Sequence, residues 1–458
     1  MNTRSFIIKS LISIIVISGI AELFFSSCGD KIKTPSESNY IVGLHNDFFR
    51  SDIKSLTPNN LSLYVDYSTC ISLGQHSDFF NSLVPAMVDA TTSYFSIEGD
   101  KITEHQADST YNLLKSIEEV YYADLKTAIE RMAEGNSEAV LLTDGEYYQN
   151  NIAKNNANNP YMAPAFKKWL LKGHDIFIIS EPYVEKHKGN EYNKKRFYLV
   201  FTDRRIPGNF YNRLRQTVRF EDYPGVEMFH LAADHPTMLA QGDKRFVINE
   251  NIQSIVSENN GFEIQDWQIS WKDGIEPLVI GAVNPKTGES MPHGECVMDG
   301  LKIDRNSLGA FRIKGVEAKV YDINEMYVVY TEAKETNQKP DLSMFENILP
   351  VEDFLVIGKD EFSRHGCLSL YFVPEKYYPQ SCLTGSPFNY TKVDIYVNEI
   401  EPIFEQYKEM FEFESIDVPG AKNISVAESI KQCMTDPEVQ TKVKQTPIYT
   451  IYIKSLKY

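Results

Sequence analysis

The chain of 458 residues is long enough for two or three domains of usual size. Its composition is that of an ordinary globular protein, although tyrosine and phenylalanine are abundant. Its 46 lysines and arginines against 63 aspartates and glutamates give a net charge of −17 at pH 7. Because so acidic a chain repels phosphate backbones, we expect no nucleic acid among its partners.

Residues 1–28 have the pattern of an export signal. Arg4 and Lys9 give a positive start, and residues 11–25 are mostly apolar but too few for a comfortable membrane span. Small residues then precede Cys28, which resembles the cleavage and lipidation site of a bacterial lipoprotein. The resemblance predicts acylation of Cys28 and attachment to the cell envelope, at the outer membrane or the cell surface. An uncleaved signal anchor is the alternative.

Residues 29–60 are polar and contain prolines, which predicts a tether between membrane and domain. A short apolar piece within it, residues 40–44, is interpreted as a first strand.

Two apolar runs each end on an aspartate. Residues 61–66 (L-S-L-Y-V-D) end at Asp66, and residues 138–144 (E-A-V-L-L-T-D) end at Asp144, just before Gly145. Short apolar runs of this kind are typical of buried strands. Ligands of open α/β sheets bind at the carboxyl edge, where we expect the two aspartates to meet.

The spacing of apolar residues predicts the remaining elements up to residue 222. An amphipathic helix begins near Ser77, a hairpin turns at Gly99, and a long helical stretch covers residues 113–132. Further strands are predicted at residues 175–180 and 196–202, and a helix at residues 209–220. This alternation predicts a doubly wound α/β sheet over residues 61–222.

Short strand-like runs separated by turn residues dominate the chain beyond residue 222. They include residues 316–321, 327–331 and 393–397. We expect two mainly β regions, residues 223–340 and 341–458, of the β-sandwich type. A helix with a capping box, S-V-A-E, is predicted from Ser425.

Three segments carry a family resemblance. V-D-Y-S-T-C (residues 65–70) resembles the D-x-S-x-S strand end of von Willebrand factor A-type domains, and L-T-D-G-E (residues 142–146) resembles their later strand end. A-D-L-K-T-A-I (residues 123–129) resembles the helix entry T-D-L-x-x-A-L of the same family. The resemblance covers about a third of the chain and implies a von Willebrand factor A-like sheet.

The resemblance also implies a metal-ion-dependent adhesion site that holds Mg²⁺ or another divalent cation. Asp66, Ser68 and Asp144 would be its ligands, and an acidic group of the partner would complete the metal shell. Ala123 replaces the family's threonine ligand, and Asp124 is the candidate substitute for its oxygen. Cys70 replaces the last serine, and its soft thiol suits zinc or copper better than Mg²⁺.

Together these features predict a non-enzymatic, lipid-anchored envelope protein that binds a protein or a glycan. The acidic edge of the sheet and the asparagine-rich segment after it, residues 146–161, would form the binding surface. Two alternatives stay open: a metal-assisted secreted hydrolase that uses the same edge, and a structural envelope scaffold with no ion.

A second candidate metal site lies further along the chain. His230, Asp234 and His235 could bind zinc there, and the competing interpretation is that they serve in packing and capping.

Overall fold

The computed structural model describes residues 37–49, 56–117, 123–148, 157–234, 305–345, 388–418, 420–445 and 447–456. It also describes the short segments 238–239, 247–248, 263–264, 278–280, 282–283, 296–303, 355–358 and 367–372. The expected lipidation site, Cys28, lies outside these residues. None of the helices in the described ranges is long and apolar enough to cross a membrane.

Helices and strands alternate in the first part of the chain. They are α1 (Glu37–Leu44), β1 (Thr57–Asp66), α2 (Thr69–Gly74), α3 (Asp78–Ala90), β2 (Thr91–Glu98), β3 (Lys101–His105), α4 (Thr110–Lys115), α5 (Leu125–Glu134), β4 (Ser137–Thr143), α6 (Ala163–Leu171), β5 (Asp175–His187), β6 (Asn190–Thr202), α7 (Phe210–Thr217) and β7 (Glu227–Ala232).

Strands dominate the second part. The elements are β8 (Met238–Leu239), β9 (Val247–Ile248), β10 (Glu263–Ile264), β11 (Leu278–Ile280), β12 (Ala282–Val283), β13 (Cys296–Lys302), β14 (Phe311–Asp322), α8 (Asn324–Glu335), β15 (Leu355–Gly358), β16 (Cys367–Phe372), β17 (Phe388–Pro402), β18 (Phe413–Glu414), β19 (Lys422–Asn423), α9 (Ser425–Thr435), α10 (Pro437–Gln445) and β20 (Pro447–Leu456).

Seven strands form one mixed sheet in the order β3-β2-β1-β4-β6-β5-β7. β1 lies parallel to both β2 and β4, whereas β6 is antiparallel to β4. β5 and β6 run antiparallel because a tight turn at Lys188 and Gly189, both with positive φ, joins them directly. The α/β prediction is therefore confirmed as a mixed sheet flanked by helices, and its last strand, β7, lies beyond residue 222.

Helices cover both faces of this sheet. Successive strand residues point to opposite faces, so Leu63 and Val65 pack in one layer with α3 and α7. Tyr64 and Leu141 pack in the other layer with α5 and α6, and also with α9 and α10. The C-terminal helices therefore share a hydrophobic core with the first sheet.

The C-terminal region contains small sheets, as expected from its sequence. A five-stranded sheet follows the order β11-β20-β17-β14, with β8 also paired to β20, and a four-stranded sheet follows the order β15-β16-β13-β9. The long pairs β14–β17 and β17–β20 are antiparallel, but β11 and β8 lie parallel to β20.

Two segments predicted as strands are helical. Residues 40–44, placed in the expected tether, belong to α1, and residues 327–331 belong to α8. Tyr40, Ile41 and Leu44 are buried in one cluster with Met326 and Tyr330. The strand predictions are therefore wrong for residues 40–44 and 327–331. The two helices bury each other's apolar residues, and this packing overrides the strand preference of β-branched and aromatic side chains.

Other local predictions are partly confirmed. The hairpin at Gly99 is present as β2–β3, and Ser77 caps α3 by accepting from the amide of Phe80 at 3.2 Å. The stretch predicted as one long helix contains two shorter ones, α4 and α5. A helix does begin at Ser425, but its expected capping box is absent. Instead, the Ser425 hydroxyl donates to Asn423 at 2.7 Å and to the Gly145 carbonyl at 3.0 Å.

Candidate functional site

The candidate site lies where the parallel strands β1 and β4 end. In their register Val65 faces Leu142, so Asp66 at the end of β1 lies beside the end of β4, which Asp144 follows. Ligand atoms of Asp66, Cys70 and Asp144 lie within 4.8 Å of one another. This three-residue cluster is called the acidic site below.

The segment that follows β1 positions Cys70 in the acidic site and places Ser68 beside it. The chain leaves β1 through Ser68 and turns at once into α2, whose first turn carries Cys70. The Ser68 hydroxyl lies 3.2 Å from the Cys70 thiol. Asp66 and Cys70 are 1% and 0% exposed, whereas Ser68 and Asp144 retain 9% and 8%. The site is therefore buried, and Ser68 and Asp144 form its least buried side, which is called the rim below.

Hydrogen bonds orient both carboxylates. The Thr143 hydroxyl donates to Asp66 Oδ2 at 2.8 Å, and the Glu146 amide donates to Asp144 Oδ1 at 2.8 Å. Asp66 Oδ1 is buried and has no hydrogen-bond partner among the described residues. A buried carboxylate oxygen without a donor is costly in free energy, which points to a proton or a cation at this position.

Electrostatics favour protonation when no cation is present. Burial raises the pKa of Asp66 to about 6, although the hydrogen bond from Thr143 opposes the shift. Burial also raises the pKa of Asp144, and the charges of Asp66 and Glu146 raise it further. The pKa of the Cys70 thiol is raised by burial and then by the charges of Asp144 and Asp66.

Two buried ion pairs flank the acidic site without neutralising it. Lys194 pairs with Glu146, and Arg196 pairs with Glu181 at 2.6 Å. Arg196 also donates to the Cys70 carbonyl at 2.8 Å, which holds the first turn of α2 in place. Within the described ranges no lysine or arginine forms a direct ion pair with Asp66 or Asp144, although the charge of Lys194 lowers the pKa of Asp144.

These basic residues were not identified from the sequence, which assigns residues 181–195 to a charged connection. The alternation of side chains along a strand could have identified them. Lys194, Arg196 and Tyr198 point to the same face of β6 as the core residue Val200. A buried strand that carries charges on its core face needs buried counter-charges. Glu146 and Glu181 supply them.

The asparagine-rich segment begins beside the site. Its first tyrosine, Tyr147, stacks on Tyr161 with ring centroids 4.7 Å apart, and both rings are buried. The Tyr161 hydroxyl has no hydrogen-bond partner among the described residues. Its pKa is raised by burial and next by the charges of Asp144 and Asp66. Residues 149–156 of this segment lie outside the described residues.

Asp124, the expected substitute ligand, has a different role. Its carboxylate accepts from the amide of Thr127 at 3.2 Å and from the Thr127 hydroxyl at 2.7 Å, so it caps the start of α5. It is not a member of the acidic site. Its backbone nevertheless pairs with the end of β2, because the Asp124 amide donates to the Gly99 carbonyl at 2.8 Å.

Two members of the second set of candidate zinc ligands, His230 and Asp234, contact other side chains. His230 Nε2 lies 2.8 Å from Asp175, and Asp234 pairs with Arg205 at 3.3 Å. His235 lies outside the described residues. These contacts favour the structural interpretation of His230 and Asp234 over zinc binding.

The donors of the acidic site suit a divalent cation. Asp66 Oδ1 and Asp144 offer carboxylate oxygens, Ser68 offers a hydroxyl, and Cys70 offers a thiol. Mg²⁺ prefers six oxygen ligands in octahedral geometry and bonds poorly to sulfur. The oxygen donors therefore fit the cation that the family resemblance implies, whereas Cys70 does not. No protein-family model, curated protein or solved structure matches this chain.

Proposed function

We propose that this chain is a membrane-tethered extracytoplasmic lipoprotein that binds a protein or a glycan and has no catalytic activity. Binding would occur at the acidic edge of a von Willebrand factor A-like sheet, with a divalent cation held by Asp66, Ser68 and Asp144. The observation that carries the proposal is the meeting of Asp66 and Asp144 at the ends of two parallel strands, with a buried oxygen of Asp66 lacking a donor.

The positions of the three family-like segments support the von Willebrand factor A-like assignment. Asp66 ends β1 and Asp144 follows β4, two neighbouring parallel strands. The third segment starts at Ala123, which bridges Gly99 just past the end of β2, the other parallel neighbour of β1. All three segments therefore reach the same carboxyl edge, where α/β sheets bind ligands.

Access to the cation would come from the rim of the site. Ser68 and Asp144 retain some exposure, so a carboxylate or a sugar hydroxyl from a partner can approach on their side. The asparagine-rich segment, residues 146–161, leaves this edge. Its amide groups suit hydrogen bonds with a glycan or a peptide.

Calorimetry with MgCl₂, MnCl₂ and ZnCl₂ tests the cation part of the proposal. We expect binding heat for the wild-type protein and none for Asp66→Ala or Asp144→Ala. Asp124→Ala is the matched control, because this aspartate caps α5 and should leave cation binding unchanged. Absence of heat in the wild-type protein would overturn the cation part.

Ligand binding requires a separate experiment. The purified protein is applied to an array of glycans and extracellular-matrix proteins, in the presence of a divalent cation and then of EDTA. We expect a bound ligand that is lost with EDTA and with Asp144→Ala.

The two alternative functions have their own tests. The same protein is assayed on phosphoester, ester and glycoside substrates, and turnover abolished by Asp144→Ala would favour a hydrolase over a binding protein. A stable partner that is pulled down from membranes, in a complex that EDTA does not dissociate, would instead favour the structural scaffold.

A further inference from the structure

We infer that Cys70 makes the acidic site selective for zinc-like divalent cations over Mg²⁺. The inference rests on the proposed function, because it specifies which cation that site holds. It replaces the oxygen-only ligand set of the family resemblance with two carboxylates and one thiolate.

The positions of the three donors carry the inference. The Cys70 sulfur and the carboxylate oxygens of Asp66 and Asp144 lie within 4.8 Å of one another. A zinc ion bonds to sulfur at about 2.3 Å and to carboxylate oxygen at about 2.0–2.2 Å, so tetrahedral ligands lie about 3.4–3.6 Å apart. Side-chain shifts of up to about 1 Å would therefore bring all three donors onto one ion.

Two buried polar atoms without a hydrogen-bond partner, one of them in the acidic site, point to a missing ligand. Thr143 occupies Asp66 Oδ2, which leaves the buried Oδ1 as the oxygen available to an ion. The buried Tyr161 hydroxyl also lacks a hydrogen-bond partner in the described part of the chain. A cation that carries a water molecule would give both atoms a partner.

The surroundings of Cys70 suit a thiolate ligand. Arg196 donates to the Cys70 carbonyl at 2.8 Å, so the turn that presents the sulfur is held by a buried cation. The Ser68 hydroxyl lies 3.2 Å from the sulfur, within reach of a hydrogen bond to a coordinated thiolate. These contacts orient the sulfur toward the carboxylates and compensate part of its charge.

Coordination preferences then decide which cation is bound. Zn²⁺ accepts three protein ligands of mixed sulfur and oxygen type and keeps a fourth position open. Mg²⁺ keeps its water and demands six oxygens, and the mostly buried site gives it little room for water. The open fourth position would face the rim formed by Ser68 and Asp144, where a carboxylate from the partner can bind.

Cobalt substitution tests the inference directly. The chelator-stripped protein is titrated with CoCl₂, and we expect a near-ultraviolet thiolate-to-cobalt absorption band and visible bands of tetrahedral cobalt. The band should disappear in Cys70→Ser and remain in Cys433→Ser, the matched control, because Cys433 is the other buried free thiol among the described residues. A wild-type protein with no thiolate band, or a band that survives Cys70→Ser, would overturn the inference.

Competition calorimetry gives the second readout. We expect Zn²⁺ to bind the wild-type protein at least 100-fold more tightly than Mg²⁺, and Cys70→Ser to weaken Zn²⁺ binding at least tenfold without weakening Mg²⁺ binding. Differences between variants are the measured quantity, because the chain has six cysteines. If Cys70→Ser does not fold, Asp144→Asn serves as the second variant: loss of the cobalt band in it supports the inference, and an unchanged band overturns it.

Failure of the inference is distinguishable from failure of the proposed function. Equal binding of Mg²⁺ and Zn²⁺ with EDTA-sensitive ligand binding would reject zinc selectivity and keep the function. Zinc binding through Cys70 without any ligand on the array would keep the inference and reject the function. Absence of binding by any cation would reject both.

Discussion

Thr143 donates a 2.8 Å hydrogen bond to the buried carboxylate of Asp66, a residue 77 positions earlier in the chain. The bond joins the ends of two neighbouring parallel strands, and it occupies one oxygen of Asp66 while the other has no donor among the described residues. The Thr143 hydroxyl also accepts from the Gly145 amide at 3.0 Å. One threonine therefore connects both strands to the loop that carries Asp144.

Removal of this hydroxyl should destabilise the fold. Thr143→Val keeps the size of the side chain but leaves the Gly145 amide without an acceptor and Asp66 without a donor. We expect a loss of about 1–3 kcal/mol in the free energy of unfolding, measured with urea. Thr217→Val is the control, since the exposed Thr217 only bonds to carbonyls of its own helix, and it should change stability by less than about 0.5 kcal/mol. Equal stability of Thr143→Val and wild type would contradict this role.

Neutralisation of one carboxylate should stabilise the metal-free protein. Asp144→Asn keeps an oxygen that can accept from the Glu146 amide and removes a buried charge close to Asp66. In EDTA at pH 8 we expect a gain on the order of 1–3 kcal/mol, because the buried like charges no longer repel. Asp124→Asn should be neutral within about 0.5 kcal/mol, since asparagine caps a helix as well as aspartate does.

The sign of this effect should reverse in the presence of the bound cation. Cation binding stabilises only a protein that retains its ligands, so saturating ZnCl₂ should raise the melting temperature of wild type but not of Asp144→Asn. If Asp144→Asn is less stable than wild type in EDTA, repulsion between Asp66 and Asp144 does not destabilise the metal-free protein.

Disruption of the buried pair Arg196–Glu181 should be severe. Arg196→Met leaves Glu181 buried without its cation and releases the Cys70 carbonyl, so we expect a loss of about 3–5 kcal/mol. Lys186→Met breaks a pair whose side chains are 76% and 64% exposed, and it should cost less than about 0.5 kcal/mol. The free energies of unfolding are measured with urea. Similar losses in Arg196→Met and Lys186→Met would contradict the expectation that a buried ion pair matters more than an exposed one.

Gly145 should tolerate no side chain. Its φ of +72° disfavours other residues, and a Cβ atom there would lie 2.6 Å from Val426 of α9. Gly189 has a φ of +84° with no atom within 4 Å of such a Cβ. Gly189→Ala should therefore cost about 1 kcal/mol from backbone strain alone, and Gly145→Ala an additional 1–3 kcal/mol from overpacking, both by thermal unfolding. A smaller loss for Gly145→Ala than for Gly189→Ala would contradict the close approach of α9.

Asp203 should make the protein sensitive to acid. Burial would raise the pKa of this carboxyl, but hydrogen bonds from His174 and Arg205 lower it well below its usual value of 3.8. A lowered folded-state pKa contributes stability above the unfolded-state pKa, and this contribution is lost as pH falls. Asp203→Asn should therefore be less stable than wild type at pH 7, and the difference should shrink below about pH 4. A difference that does not depend on pH would exclude this electrostatic role.

The chain's local patterns were sufficient to predict several elements. The apolar runs that end at Asp66 and Asp144 are strands, the hairpin at Gly99 is present, and Ser77 caps a helix. These features depend on side-chain periodicity and on turn and cap residues, which act over a few neighbouring positions. The sequence therefore predicts them without knowledge of distant contacts.

Long-range contacts decided the features that the sequence did not predict. Residues 327–331 have strand propensity, yet they lie in α8 because this helix packs on α1. Lys194 falls in a predicted charged connection and Arg196 begins the next predicted strand, yet both are buried in ion pairs with Glu146 and Glu181. Asp124 lies in a family-like segment, yet its carboxylate caps α5.

By itself, the sequence determined an acidic chain with an α/β sheet and with aspartates after two of its buried strands. Only the tertiary structure decided that Cys70 joins these aspartates, that the neighbouring lysine and arginine pair with Glu146 and Glu181 instead, and that one oxygen of Asp66 lacks a donor among the described residues. The physical reason is that burial and pairing of charges depend on residues that approach one another only when distant strands align.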